Sequence, residues 1–362
     1  MRHFVRSKTI ERSNVKKIVP SPATADLGPH TLSVAQLQRL DRDSTLWMNV
    51  PQHSPRLDAP DLCAIVLAGG EGKRLRPFVQ RLRGDDLPKQ YVKLAGERSL
   101  LETTLSRVER LIRPERVFVV SNSHHLKYPE ARRQISERPR GTGILQPVNK
   151  DTGAGIFVSL MHVLKRYPEA VVAIFPSDHF VEKDELFMDY VYLAHYAVQR
   201  HPLRLVLLGA HPTQPDPDYG YILPGERLKS LSPFNIHKVS GFMEKPPVEA
   251  ARALIRRGTL WNTMVVVARG KILLGLLQKK FSAAYSAFEQ VYRYIGSPFE
   301  RASVLEAYAR VEPMNFSKDF LEELCRNQPS RLLALALKGV LWSDLGCESR
   351  VRQTQAHIGG VI

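Results

Sequence analysis

Glycines at positions 69, 70 and 72 are followed by Lys73, Arg74 and Arg76, a combination suited to a polyphosphate. Glycine lets backbone N–H groups approach phosphate oxygens closely, and the cations behind it neutralise their charge. Two familiar loops are excluded. A Walker A loop requires Ser or Thr directly after Gly-Lys, where Arg74 stands, and a dinucleotide fingerprint requires a third glycine where Leu75 stands. A strand-to-loop turn without a ligand is the other reading these residues leave. Further along, Asp178 follows an apolar run, at the end of a strand where open α/β sheets bind ligands. It is a candidate metal ligand, with capping of the next turn as the competing role. Gly153 and Gly155 open a helix and would let a base or ribose lie against backbone, while Thr152 could serve as an N-cap. Glu244 and Lys245 set an acid beside a cation, a pairing also common on plain surfaces.

The elements that must position these residues begin at Leu62. Short apolar runs at 62–68, 117–121, 143–146, 171–176 and 204–209 read as strands, and 100–112 and 155–167 have helical periodicity between them. This is a βαβ series, which predicts a mostly parallel sheet with helices on its faces. Residues 219–270 are richer in turns and β-branched residues and predict a mixed, partly antiparallel insertion able to hold a second substrate; helices are expected to resume from Lys271. Residues 1–58 read as a loosely ordered basic arm, punctuated by prolines and holding one short helical pattern at 32–40. Residues 59–351 are expected to form the main domain and 352–362 a tail without pattern.

At 69–77 the order Gly-Gly-x-Gly-x-Arg-Leu-x-Pro resembles the signature of the sugar-1-phosphate nucleotidyltransferases. Pro88-Lys89-Gln90-Tyr91 is similar to the Pro-Lys-Gln-Phe of the mannose-1-phosphate guanylyltransferase branch. Further segments resemble that family in order: Gln146 to Ile156, Pro176-Ser-Asp-His179, Tyr219-Gly-Tyr-Ile222, Phe242-Met-Glu-Lys-Pro246, Trp261-Asn262 and Trp342-Ser-Asp-Leu-Gly346. The resemblance implies a Rossmann-like α/β fold of the nucleotide-diphospho-sugar transferase type. It implies nucleotide binding by Ala68, Gly69, Gly70, Gly72, Gln146 and Gly153, with Arg74 and Lys89 stabilising triphosphate and pyrophosphate charge. Gly220, Glu244, Lys245 and Asn262 would hold the sugar phosphate, Lys245 with a catalytic part. Asp178 and Asp344 would share a magnesium ion, Mg2+.

Several positions depart from the family pattern. Lys150 and Asp151 stand where the guanylyltransferase branch has Arg and Asn, Gly153 and Gly155 replace Ala and Pro, and Met264 replaces Gly. The implied reaction is nucleotidyl transfer from a nucleoside triphosphate, GTP favoured, to a sugar 1-phosphate, mannose 1-phosphate favoured. Thymidylyl or uridylyl transfer to glucose 1-phosphate is the alternative, as is a catalytically silent homologue that binds sugar nucleotides. No room is expected for an isomerase domain, hence a single activity.

Composition agrees with this class without selecting it. The 362 residues are 43% hydrophobic and 24% charged, ordinary for a globular enzyme, and the formal net charge of +16 favours anionic partners. The basic residues neither cluster in one run nor interleave with aromatics, so nucleic acid is not the expected partner. There is no apolar stretch of about eighteen residues, and the first residues lack the apolar core of a secretory signal. Cys63, Cys325 and Cys347 are too scattered for a zinc or redox motif. A cytoplasmic protein with no membrane association is expected, and a homo-oligomer is compatible with all of this.

Overall fold

The computed structural model describes residues 59–231 and 234–359; the arm expected over 1–58, with its short helix, lies outside them. The strands are β1 (Leu62–Ala68), β2 (Val117–Asn122), β3 (Gly143–Gln146), β4 (Val171–Pro176), β5 (Phe180–Val181), β6 (Leu205–Ala210), β7 (Gly220–Arg227), β8 (Ile236–Glu244), β9 (Leu260–Arg269), β10 (Leu332–Ala336) and β11 (Trp342–Ser343). A nine-stranded sheet runs β3-β2-β1-β4-β9-β6-β10-β8-β7, and β11 pairs with β5 beside it. Pairings β1–β2, β1–β4, β2–β3 and β6–β10 are parallel; β9 is antiparallel to β4, β6 and β7, and β8 to β10 and β7. Only β8 and β9 therefore run against the common direction of this mixed, mostly parallel sheet.

The apolar runs are continuous because both faces of the sheet are covered. Along β1, Leu62, Ala64 and Val66 join a core with the helices Leu100–Val108 and Asp184–Arg200. Cys63 and Ile65 join a second core with the helices Asp151–Arg166, Gly270–Lys280 and Ser282–Tyr294 on the opposite face. Each fully buried Val, Leu or Ile contributes about 1.5–3 kcal/mol, and this fixes the strand register on which the site depends. The chain leaves β1 toward β2 and β3 on one side, then returns to β4 on the other. The loops after β1 and β4 therefore meet at a topological switch point, where such sheets bind ligands.

Two segments differ from their sequence pattern. The 219–270 segment is continuous with the main sheet, since β9 lies between β4 and β6 at its centre. The tail expected from 352 is instead part of a helix, Glu348–His357, whose buried stripe is Arg350, Val351, Thr354 and Gln355. Gln355 Nε2 donates to the Leu94 carbonyl at 2.8 Å. Among the described residues no helix is long and apolar enough to cross a membrane.

Candidate active site

The glycine loop is held in shape from below. Gln90 Nε2 donates to the carbonyls of Ala68 (2.8 Å) and Gly70 (2.9 Å), and Asn122 Nδ2 donates to that of Gly69 (2.8 Å). Gly72 adopts φ 59°, the left-handed region that glycine enters without strain. Gly69 is required for a different reason: a Cβ there would collide with the Gln146 amide. The loop leads into Lys73–Leu75 and a cleft of about 570 Å³ lined by Gly72, Arg74, Lys89, Asn149, Asp151 and Asp178.

Lys89 is the hub of this cleft. Its side chain is only 10% exposed, and Nζ lies 3.1 Å from Asp178 Oδ2 while donating to the carbonyls of Asp344 (3.0 Å) and Leu345 (3.1 Å). The ends of β4 and β11 are thus tied to one ammonium group. Asp344 is nearly buried. Its Oδ1 accepts from the Tyr219 hydroxyl (3.0 Å) and the Gly346 amide (2.9 Å), and Arg350 Nε stands 2.8 Å away. Its Oδ2 faces Arg350 Nη2 at 3.3 Å and Arg74 Nη2 at 3.7 Å. Burial alone would raise this carboxyl's pKa, but the charges of His179, Arg350 and Lys89 and the Gly346 N–H outweigh it and hold it below the usual range. Arg350 also pairs with Asp216 (2.6 Å) and Asp218 (3.0 Å), and lies over the Tyr219 ring. Arg74 reaches out of the glycine loop to Asp218.

An aromatic floor joins this half to the next. His179 meets Trp342 edge-on at 5.2 Å, Tyr219 packs on Trp342 (5.4 Å) and Trp261 (4.5 Å), and Asn262 follows Trp261 on β9. Gly220 leaves space for Glu244, whose carboxylate would be struck by a Cβ at that position. Burial pushes the Glu244 carboxyl up to about 7; Lys245 opposes this while Glu322 and Asp151 add to it. Among the described residues the non-glycine left-handed positions are Asp151, Lys245, Met264 and Leu345. Asp151 lines the cleft and the Leu345 carbonyl accepts from Lys89, so two of the four lie where backbone strain commonly collects. A π-helical turn, Phe316–Leu321, closes the same side, with Asn315 Nδ2 donating to Asp151 at 3.2 Å.

Of the residues expected from sequence, Gly72, Arg74, Lys89 and Asp178 line this cleft, while Gln146, Gly153, Thr152, Asp344 and Asn262 are engaged with other partners. Gln146 is buried, donating to Asn122 (2.7 Å) and accepting from the Tyr308 hydroxyl (2.8 Å), so it braces the glycine loop and does not face a base. Gly153 is buried against Met314, whose carbonyl accepts its N–H at 2.8 Å; a Cβ would stand 2.8 Å from that residue. Thr152 is not an N-cap either, since its hydroxyl accepts from the Phe316 amide. Asp344 keeps its place beside Asp178, but with its oxygens already engaged it does not fit a magnesium ion in this arrangement. Asp178 fits one: a single half-buried carboxylate can serve as protein ligand while phosphate and water complete the shell. Asn262 is buried, with Oδ1 accepting from the Met264 amide (3.1 Å) and Nδ2 within 3.4 Å of Ser317. Sequence reasoning missed Asp216, Asp218 and Arg350. The only available signal was the Asp-x-Asp spacing directly before Tyr219.

Comparison with known proteins gives a consistent result. The family model for nucleotidyl transferase matches residues 63–358. Mannose-1-phosphate guanylyltransferase 2 of Escherichia coli O157:H7 is 31% identical over 254 residues, which is 68% of this chain and 51% of that protein. The mannose-1-phosphate guanylyltransferase of Sinorhizobium fredii is 28% identical over 323 residues, 86% of this chain and 58% of that one. The chain therefore spans about half the length of the curated relatives it matches. Among solved structures, a mannose-1-phosphate geranyltransferase from Thermus thermophilus superposes with a TM-score of 0.65 at 27% identity, covering 79% of this chain and 76% of that one. A mannose-6-phosphate isomerase from Helicobacter pylori, at 20% identity and TM-score 0.59, covers 78% of this chain and 99% of its own and shares the fold.

Proposed function

This chain belongs to the nucleotidyl transferase family, and on that premise we propose that it transfers a nucleotidyl group from a nucleoside triphosphate to a sugar 1-phosphate and releases pyrophosphate. GTP and mannose 1-phosphate are the favoured pair, in keeping with the names of its relatives. The observation that carries this reading is Lys89, which ties Asp178 to the 344–345 backbone beneath the glycine loop.

The attacking oxygen belongs to an ionised sugar phosphate, so no general base is needed. It attacks the α-phosphorus in line, and the bond to the departing pyrophosphate breaks. Two anions must be aligned and the charge on the α-phosphate and leaving group stabilised. Lys73 and Arg74, at the exposed mouth of the loop, would meet the triphosphate, with Arg74 exchanging its carboxylate partners for phosphate. Lys89 stays on the floor as a fixed positive charge. Magnesium held on Asp178 would supply Lewis-acid stabilisation of phosphate charge. On the sugar side Glu244 accepts from hydroxyl groups, and the half-exposed Lys245 reaches the sugar phosphate. The buried Trp261 Nε1, without a hydrogen-bond partner among the described residues, is a donor that a sugar oxygen would satisfy.

A pyrophosphate-release assay over a panel of triphosphates and sugar 1-phosphates, with magnesium, tests the proposal. Turnover greatest with GTP and mannose 1-phosphate supports it. Preference for dTTP or UTP with glucose 1-phosphate replaces the substrate pair. No turnover on any pair, with sugar nucleotide still bound, identifies a silent binding protein. Asp178→Asn should lose nearly all turnover while melting as the parent does.

A further inference from the structure

On the outer wall of the glycine loop three metal-ligating side chains converge, none of them assigned a part in nucleotidyl transfer. Glu71 belongs to the loop itself, and His124 and His125 lie in the turn Ser123–Lys127 that follows β2. The parallel register of β1 and β2, with Ala68 opposite Ser121, brings the two loops together. One donor atom from each residue lies within 4.8 Å of the others. His124 Nε2 is 3.2 Å from Glu71 Oε1, and His125 Nε2 is 3.5 Å from the same oxygen.

His125 supplies the decisive detail. Its side chain is 1% exposed, yet Nε2 makes no hydrogen bond among the described residues. Its other nitrogen, Nδ1, faces the Tyr91 hydroxyl at 3.5 Å. His125 Nε2 is thus a buried nitrogen outside any hydrogen bond among the described residues, 3.5 Å from the Glu71 carboxylate and within reach of a shared ligand. A cation seated between the two groups would be met by the nitrogen lone pair and by the carboxylate charge together. The carboxylate is also braced from behind, since Asn122 Nδ2 donates to Glu71 Oε1 at 2.8 Å, the kind of outer support that orients metal ligands.

We propose that Glu71, His124 and His125 bind a divalent transition-metal ion, with zinc the ion that suits them, at the rim of the phosphate loop. Two imidazoles and one carboxylate, with a fourth position open, form a common donor set for zinc. The same set suits magnesium poorly, because magnesium prefers oxygen ligands and keeps its water. This site is therefore chemically distinct from Asp178. Because Glu71 lines the cleft, the bound ion pins the glycine loop to the turn after β2 and leaves its open position near the phosphate region. Metal binding at these three residues does not depend on nucleotidyl transfer.

The test uses full-length protein freed of metal by chelator dialysis. Cobalt(II) is titrated as a visible probe, zinc is then added in competition, and bound metal is counted by equilibrium dialysis. The expected result is one cobalt per chain with four-coordinate absorption, displaced by zinc and not by excess magnesium. His124→Ala, at a half-exposed position that should not disturb folding, and Glu71→Gln should each weaken zinc binding by more than about tenfold. Asp178→Asn should leave zinc affinity unchanged. Absence of stoichiometric zinc binding, or zinc binding that survives His124→Ala but disappears in Asp178→Asn, overturns the assignment.

Discussion

Replacing Arg350 by Gln removes the cation shared by Asp216, Asp218 and Asp344. The Arg350, Asp216 and Asp344 side chains are 10%, 10% and 12% exposed, so the two aspartates lose their nearest counter-charge inside the protein, Asp344 keeping Arg74 at 3.7 Å. Breaking a buried pair from one side costs about 3–5 kcal/mol. Asp218 is 39% exposed and turns to water, adding no more than about 1 kcal/mol. For a chain of this size a loss of that order lowers Tm by about 10 °C, measurable by differential scanning fluorimetry and urea titration. The loss should also depend on pH. The Asp344 carboxyl is held below its ordinary value in the fold, so the stability it contributes is present above about pH 4 and disappears as the pH falls through the lowered folded value. The gap between parent and Arg350→Gln should accordingly be full at pH 7 and narrow on acidification. Adding Asp344→Asn to Arg350→Gln should recover part of the loss, since it removes a charge the first change stranded. A loss below about 1 kcal/mol at pH 7, or strict additivity in the double variant, would refute the claim that Arg350 neutralises Asp344.

Other changes probe the remaining elements. Lys89→Met should lower turnover by about 10²–10³-fold in a pyrophosphate-release assay, the usual cost of removing one charge-stabilising donor; a smaller change would demote Lys89 to a structural tie. Gly69→Ala forces the Gln146 amide off Asn122 and should destabilise the fold by about 1–3 kcal/mol in urea titration. Glu244→Gln removes a carboxyl whose raised folded pKa costs stability progressively as pH climbs from about 4 to about 7. The variant should match the parent at pH 4 and exceed it by up to about 3 kcal/mol at pH 8. Sugar-phosphate affinity of the parent should meanwhile rise through neutral pH as Glu244 ionises, and calorimetry at pH 6 and 8 would show it.

The strands that carry the glycine loop and Asp178 were legible because both faces of the sheet are buried. Runs such as Leu62–Ala68 and Val171–Pro176 then consist of apolar residues bounded by sharp polar ends. Lys89 and Asp344 were each singled out through motif order alone, whereas their contact came only with the structure. Burial was not legible in that way: Gln146 and Gly153 occupy motif positions, and only the packing of Tyr308 and Met314 against them shows that they support the loop. Arg350 escaped notice because two of its three aspartate partners, Asp216 and Asp218, lie over a hundred residues earlier and its helix buries a polar stripe. Arg350, Thr354 and Gln355 carry no hydrophobic periodicity to announce a helix. A partly antiparallel segment was expected over 219–270, but the place of β9 between β4 and β6 was hidden, since an apolar run does not record which neighbours it will have.

That reversed strand has a consequence for how the chain assembles. β4 and β6 are complete by residue 210, yet neither touches the other, and the strand that fits between them ends only at Arg269. While the ribosome is still making the intervening sixty or so residues, about several seconds of synthesis, two apolar strand edges stand open and free to pair with other chains. Arrival of β9 joins β4 to β6, and the sheet is finished when β10, at 332–336, fills the place between β6 and β8. Nascent chains stalled just before residue 260 should therefore be cut by protease within β4 or β6, and chains stalled well past 336, with β9 and β10 both clear of the exit tunnel, should resist.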